Sequence, residues 1–190
     1  MRRALRHLLL LATAVLAVGA LGACGNKQDE ITHSETEGNY LDLGGLKYQV
    51  QISRQLNAAD REDKGYLIGL SPQDRRLPKD QTWYGIFIRV QNDGDDPQQA
   101  AQEFEIRDTQ GNVFKPLNLD PKFNLFAYKA RPVTPGTLLP ILNSPASDNT
   151  IRGALLLFKV KTDSLYNRPL ELHIANSREG QGEAVIDLDV

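Results

Sequence analysis

The chain holds 190 residues, 41% of them hydrophobic and 24% charged, with a formal charge of −2. This balance excludes a disordered polyelectrolyte and a basic nucleic-acid-binding surface, and the length suits one hydrophobic core. The one cysteine, Cys24, excludes a disulfide within the chain, so the fold must stand on burial alone.

Residues 1–23 have the parts of a bacterial export signal. Arg2, Arg3 and Arg6 give a cationic start, and an uncharged apolar run extends from Leu8 to Leu21. A bilayer-spanning helix needs about 20 apolar residues and a signal core about 7–15, so this run belongs to the second class. Small residues then precede Cys24. The four residues Leu21-Gly22-Ala23-Cys24 resemble the lipobox of bacterial lipoproteins. That resemblance implies a signal peptide over 1–23, removed after export, and a diacylglycerol on the Cys24 thiol; Arg2-Arg3 lacks the flanking residues of a twin-arginine motif, which favours the general secretory route. It also implies a protein held on the cell membrane, facing outside the cytoplasm, with the lipid bilayer as its first partner. Two acyl chains make a stable anchor where one gives only reversible binding. Loss of the leader removes three arginines and no acid, leaving a net charge of −5. That charge does not favour nucleic acid or anionic lipid, so the anchor rather than a basic patch is expected to hold the protein.

Residues 24–39 contain one large apolar side chain, Ile31, and read as the lipidated cysteine followed by a disordered tether. Residues 40–190 then read as one domain. Leu46, Tyr48, Val50 and Ile52 alternate with polar residues, the mark of a half-buried strand. Residues 54–82 are polar, with a short apolar piece at 66–70 that predicts a brief strand. Trp83 to Val90 is the strongest strand signal: Tyr84, Ile86, Ile88 and Val90 form one face, and Trp83, Gly85 and Phe87 the other. A strand apolar on both faces is central and covered on both sides, and the 54–82 segment is the predicted cover.

Asn92 to Pro97 breaks that strand. Residues 104–107 and 113–117 flank Asp108-Thr109-Gln110-Gly111-Asn112, which predicts a β-hairpin. The proline-rich stretch 118–150 reads as loops and edge strands. Residues 151–160 predict another central strand, 170–174 an alternating one, and 184–190 a last strand with Ala184, Ile186, Leu188 and Val190 facing inward. The sum is about seven to nine short strands and no amphipathic helix beyond the leader, the pattern of an all-β sandwich. Phe87-Ile88-Arg89-Val90-Gln91-Asn92, Asp108-Thr109-Gln110-Gly111, Thr134-Pro135-Gly136 and Leu157-Phe158-Lys159-Val160 follow in an order that resembles the telokin-like, immunoglobulin-like domains of bacterial extracytoplasmic lipoproteins. The resemblance spans about residues 46–174 and implies an immunoglobulin-like β-sandwich; most members lack a known activity.

No catalytic constellation stands out. After the leader the histidines are His33, in the tether, and His173, which alternates with core residues and is expected to be a solvated surface side chain beside Glu171. No G-x-S-x-G or similar nucleophile setting is present. Transition-metal handling wants His, Cys or Met clusters, and the one methionine is Met1. Asp93, Asp95 and Asp96, and Asp60, Glu62 and Asp63, crowd two turns in a way calcium could use, but without the spacing of an EF-hand loop. No cofactor is implied. Phe123, Phe126 and Tyr128 lie between Pro121 and Pro132 with Lys122, Lys129 and Arg131 around them. With Trp83 and Phe87 they are candidates for an interaction surface, because aromatics and arginine are enriched at interface hot spots; plugging the end of the sandwich is the competing role. The expectation is a non-enzymatic binding module, with an envelope protein as a possible partner. The alternatives are a small-ligand or calcium-binding lipoprotein and, least favoured, an envelope hydrolase.

Overall fold

The computed structural model describes residues 30–176 and 182–188; the leader and Cys24 lie outside the described residues. Short β1 (His33–Ser34) is followed by a hairpin of β2 (Tyr40–Leu43) and β3 (Leu46–Leu56). A one-turn helix, α1 (Asp63–Tyr66), leads to β4 (Gln81–Gln91). Next come β5 (Gln98–Gln99), β6 (Glu103–Arg107), β7 (Val113–Phe114), β8 (Pro132–Val133) and β9 (Leu138–Leu139). A second one-turn helix, α2 (Pro145–Asp148), precedes β10 (Ala154–Lys161). A 3₁₀ turn (Thr162–Tyr166), β11 (Leu170–Ala175) and β12 (Glu183–Leu188) complete the chain. Of the two large sheets, one runs β1-β12-β11-β6-β7 and the other β10-β4-β3-β2, with β9 also on β4; β5 and β8 form a separate two-stranded ribbon. The fold is an all-β sandwich, as the alternation predicts. Seven strands are four residues or longer, in line with the expected number; the other five are two residues long.

The main core lies between the sheets. Tyr48, Tyr84, Ile86, Ile88, Val90 and Phe158 from one sheet meet Ile106, Leu170, Leu172, Ile174 and Ile186 from the other. The predicted face of β3 needs one correction. A bulge between Val50 and Ile52 shifts the register by one residue, so Ile52 leaves the core face and Ser53 takes its place. A one-residue slip moves every following side chain to the opposite face. Ser53 is tolerated inside because its hydroxyl lies 2.6 Å from that of Tyr84. The same slip carries Leu56 to the outer face, where it faces Trp83.

That outer face is itself buried. Leu56, Tyr66, Leu70, Trp83, Phe87, Leu119, Leu155 and Leu157 form a second core outside the β10-β4-β3-β2 sheet. Its cover is the predicted 54–82 segment together with residues 117–127. The piece at 66–70 is not a strand. Asp60 Oδ1 accepts from the Glu62 and Asp63 amides, which opens a helical turn, and Leu70 keeps only a single bridge to Leu119. The turn is pinned by Asp63, whose carboxylate accepts from Arg54 and from the Asn57 amide at 2.7 Å. Burial alone would raise the Asp63 carboxyl, but Arg54 and Asn57 outweigh it and hold it below the usual range.

Residues 31–39, expected to belong to a disordered tether, are paired with the sandwich. The Val185 amide donates to Thr32 O at 2.8 Å, β1 pairs in parallel with β12, and Asp42 N donates to Ile31 O at 2.6 Å. Backbone pairing at a sheet edge orders this polar segment without apolar burial, which is why its composition does not reveal it. The predicted 108–112 hairpin is present between β6 and β7. Asp108 accepts from the Gln110 and Asn112 amides and from the side chains of Asn112 and Asn167. Burial would raise this carboxyl, yet those donors hold it well below its ordinary value.

Ala101, in the crossing between sheets, has both backbone groups held by tyrosines. Its amide donates to the Tyr48 hydroxyl and its carbonyl accepts from Tyr128, each at 2.8 Å. Burial pushes the Tyr48 phenol up to about 12, against a smaller opposing effect of the Ala101 amide. A raised phenol stabilises the fold fully below its unfolded value near pH 10, and that contribution is lost as pH rises towards 12. An alkaline titration followed by phenolate absorbance and circular dichroism should therefore show Tyr48 protonated until about pH 12, with its ionisation coinciding with loss of the sheet. A second outcome follows from Gly153, where a Cβ would stand 2.8 Å from the Phe87 carbonyl carbon and 3.0 Å from Ile88 N. Backbone cannot yield as a side-chain tip can, so Gly153→Ala should cost about 1–3 kcal/mol in denaturant unfolding.

Candidate functional site

Residues 117–128 run beside β10. The amides of Leu117 and Tyr128 donate to Leu157 O and Leu155 O, and the Leu155 amide donates back to Phe126 O, all within 2.7–2.8 Å. Asn124, fully buried, fixes the loop to the neighbouring cover. Its Nδ2 donates to the carbonyls of Tyr66 and Ile68 at 2.9 Å, and its Oδ1 accepts from Phe126 N at 3.0 Å. With Asn124 inside, its neighbours Phe123 and Leu125 point out. Phe126 turns in and packs edge-on against Tyr66 at 4.9 Å.

The five aromatics singled out from the sequence therefore part company. Trp83 and Phe87 are buried in the second core. Phe126 is half-buried against it, and Tyr128 is half-buried against the main core, edge-on to Phe104 at 5.0 Å. Those four finish the cores, and Phe123 alone is a surface residue. Three other exposed apolar residues join it. Leu125 follows in the same loop, and Ile141 and Leu142 come from the loop after β9. That loop begins with the cis Leu139–Pro140 bond and ends in α2, where Ser144 and Ser147 cap each other reciprocally and Ala146 is buried. Together the four are 54–67% exposed. The only signal for the added three is an apolar pair, Ile141-Leu142, where a proline-rich loop should be polar.

The two loops enclose an open groove of about 290 Å³, floored by Pro121, Leu125, Ala127, Pro140, Ile141 and Ala154, with Lys129 and Arg131 on its margin. On the other side of Pro121 lies a shallow depression of about 630 Å³, lined by Ile68, Ser71, Arg75, Asp120 and Phe123. Apolar floor and cationic margin suit an apolar or amphipathic anion.

His173 is not the solvated side chain expected. It is 7% exposed, with Nδ1 2.9 Å from Glu183 Oε1 and Nε2 3.0 Å from Glu171 Oε2. Its strand β11 is flanked by β12 and β6, so long neighbours cover it even on the outer face. Both ring nitrogens face carboxylates, and among the described residues no hydroxyl or thiol is bonded to the ring, so it has no nucleophile to activate. The acidic turns are structural. Asn92, fully buried, donates to Asp96 O and Val133 O and accepts from Gly94 N, which shapes the 92–97 turn. Asp60 and Asp63 serve the α1 turn. Among the described residues no group of three or more His, Cys, Asp or Glu is placed to hold a metal ion.

Fold and groove together define an all-β sandwich protein with an apolar, cation-edged corner. Neither a family model nor a curated protein matches the chain. Among solved structures it is similar to the yjhA protein from Bacillus subtilis, with a TM-score of 0.47 and 11% identity over 82% of this chain and 100% of that one. It is also similar to a functionally unknown protein from Listeria monocytogenes EGD-e, with a TM-score of 0.44 and 12% identity over 83% of this chain and 84% of that one.

Replacing Asn124 by Ala strands two buried carbonyls and one amide. The expected cost is about 1–3 kcal/mol in chemical unfolding, with faster proteolytic cutting inside 118–127 than elsewhere.

Proposed function

We propose that this chain is a lipid-anchored protein of the cell envelope, held through Cys24 outside the cytoplasm, whose immunoglobulin-like sandwich is a non-catalytic binding module. The observation that carries the reading is the groove shared by two loops, where Leu125 and Ile141 face one another and the exposed Phe123 and Leu142 lie next to them in the chain. Contiguous exposed apolar surface on a small domain marks a place where something binds. The attachment this reading requires rests on the resemblance of Leu21-Gly22-Ala23-Cys24 to a lipobox. A second reading is favoured by the groove alone: at about 290 Å³ it sits at the small end of ligand pockets, and a thermal-shift screen with small amphipathic anions addresses it. His173, bonded to Glu171 and Glu183, lends the hydrolase alternative no support.

The anchor is tested by fractionation. The native protein should stay with membranes until detergent is added, and its N-terminal peptide should carry the mass of a diacylglyceryl group. The Cys24→Ser variant should move to the soluble fraction after a salt wash. A variant that stays on the membrane after that wash, or a native Cys24 without added mass, would defeat the reading.

A further inference from the structure

The geometry points to a lipid surface as the occupant of the apolar corner: Phe123, Leu125, Ile141 and Leu142 dock into the outer face of the membrane, with Lys122, Lys129 and Arg131 on anionic headgroups. This inference rests on the lipid-anchor reading and adds an orientation to it.

Position within the fold is the first argument. Ile31 is bonded to Asp42, Asp42 pairs with Lys47, Lys47 with Gln91, and Gln91 with Leu138. One transverse row thus links the point where the chain enters the sandwich to the strand that leads into Ile141 and Leu142. Four strand spacings separate the two, about 19 Å. The incoming chain and the start of the loop that carries Ile141 and Leu142 share one transverse level of this sheet, at its opposite edges.

Reach is the second argument. Cys24 lies seven residues before Ile31, and seven residues span at most roughly 25 Å at full extension. An acylated Cys24 therefore keeps this end of the domain close to the headgroups. Confinement of that kind lets a surface too weak to bind from solution engage its target, because the second contact becomes intramolecular.

Charge is the third. Residues 121–152 contain Lys122, Lys129, Arg131 and Arg152 against Asp148 alone, a net +3 within a chain that is −5 after residue 23. The outer face of the other sheet places Glu105, Glu171, Glu183 and Asp187 on neighbouring strands, with Arg107 paired to Glu105 and Glu183, so the face stays net negative. An anionic membrane attracts the corner and repels that face, which selects one orientation. The overall negative charge argues against electrostatic recruitment from solution and is silent about how a tethered domain turns. Exposed aromatic and aliphatic side chains beside Lys and Arg are the composition that settles at the headgroup boundary.

The test uses the full chain, produced with its leader, purified from membranes and reconstituted into vesicles of phosphatidylglycerol and phosphatidylethanolamine. Acylation occupies the Cys24 thiol, so a single new cysteine takes an environment-sensitive fluorophore. Leu142→Cys labels the corner. Tyr166→Cys labels the opposite end, after the 3₁₀ turn that follows β10. Both positions are exposed, so neither change disturbs a core. Lipids with brominated acyl chains should quench the label at 142 and spare the label at 166. Phosphatidylcholine vesicles, or the double change Lys129→Glu and Arg131→Glu with its circular dichroism unchanged, should bring quenching at 142 down to the level at 166. Equal labels at both positions, on protein whose Cys24 carries the acyl mass, would overturn the docking and leave the anchor standing. An unmodified Cys24 would overturn both. A photocrosslinker at position 142 that yields a discrete protein adduct in cells, rather than lipid, would also overturn the docking.

Discussion

A strand that is apolar on both faces has to be covered twice, and β4 imposes that demand on the whole molecule. Tyr84, Ile86, Ile88 and Val90 need the opposing sheet; Trp83 and Phe87 need a second layer that no strand supplies. The chain meets the second need with two irregular segments, 57–80 and 117–127. The bulge in β3 serves the same end, since it moves Leu56 to the face where Trp83 needs a neighbour. Close approach follows: a Cβ at Gly85 would meet Leu56 and Leu155 at 3.0–3.2 Å. The loop that displays Phe123 and Leu125 is thus held by the burial of Leu119, Phe126 and Ala127 beside it. Display at the corner is a product of coverage on the sheet.

Irregular cover must satisfy its backbone without a ladder, and here side-chain amides and carboxylates do so. Asn124 serves two carbonyls and an amide, Asn92 does the same at the 92–97 turn, and Asp108 takes two amides at the hairpin. Each such bond is worth about 0.5–1.5 kcal/mol net, but leaving its partner buried and unpaired costs more. Such polar pins hold the loops in place in a domain whose sequence has no cysteine beyond Cys24.

Period-two alternation made the long strands and the two-faced character of β4 legible from residue types alone. Alternation reports which side chains share a face; it says nothing of what lies opposite that face. That is why Trp83 and Phe87, expected to lie under the 54–82 cover, stayed candidates for an interface as well, and why His173 looked solvated. The bulge after Val50 has no signature of its own, since one inserted residue changes parity without changing composition. The two-residue strands and the ordered 31–39 segment rest on backbone bonds, to which side-chain patterns are blind. The corner was half legible: a proline-bounded aromatic loop with cations was visible, but its partner loop is 13 residues beyond Tyr128 and comes alongside only through the fold.

In the sheet that carries β11, β12 lies between β1 and β11. Its residues Ala184, Ile186 and Leu188 are buried in the main core. A nascent chain from which residues 183–188 have not yet emerged leaves Leu172 and Ile174 without their cross-strand partners. β1, made far earlier, has nothing to pair with until the same moment. Closure of this sheet is therefore a late event in the making of the domain.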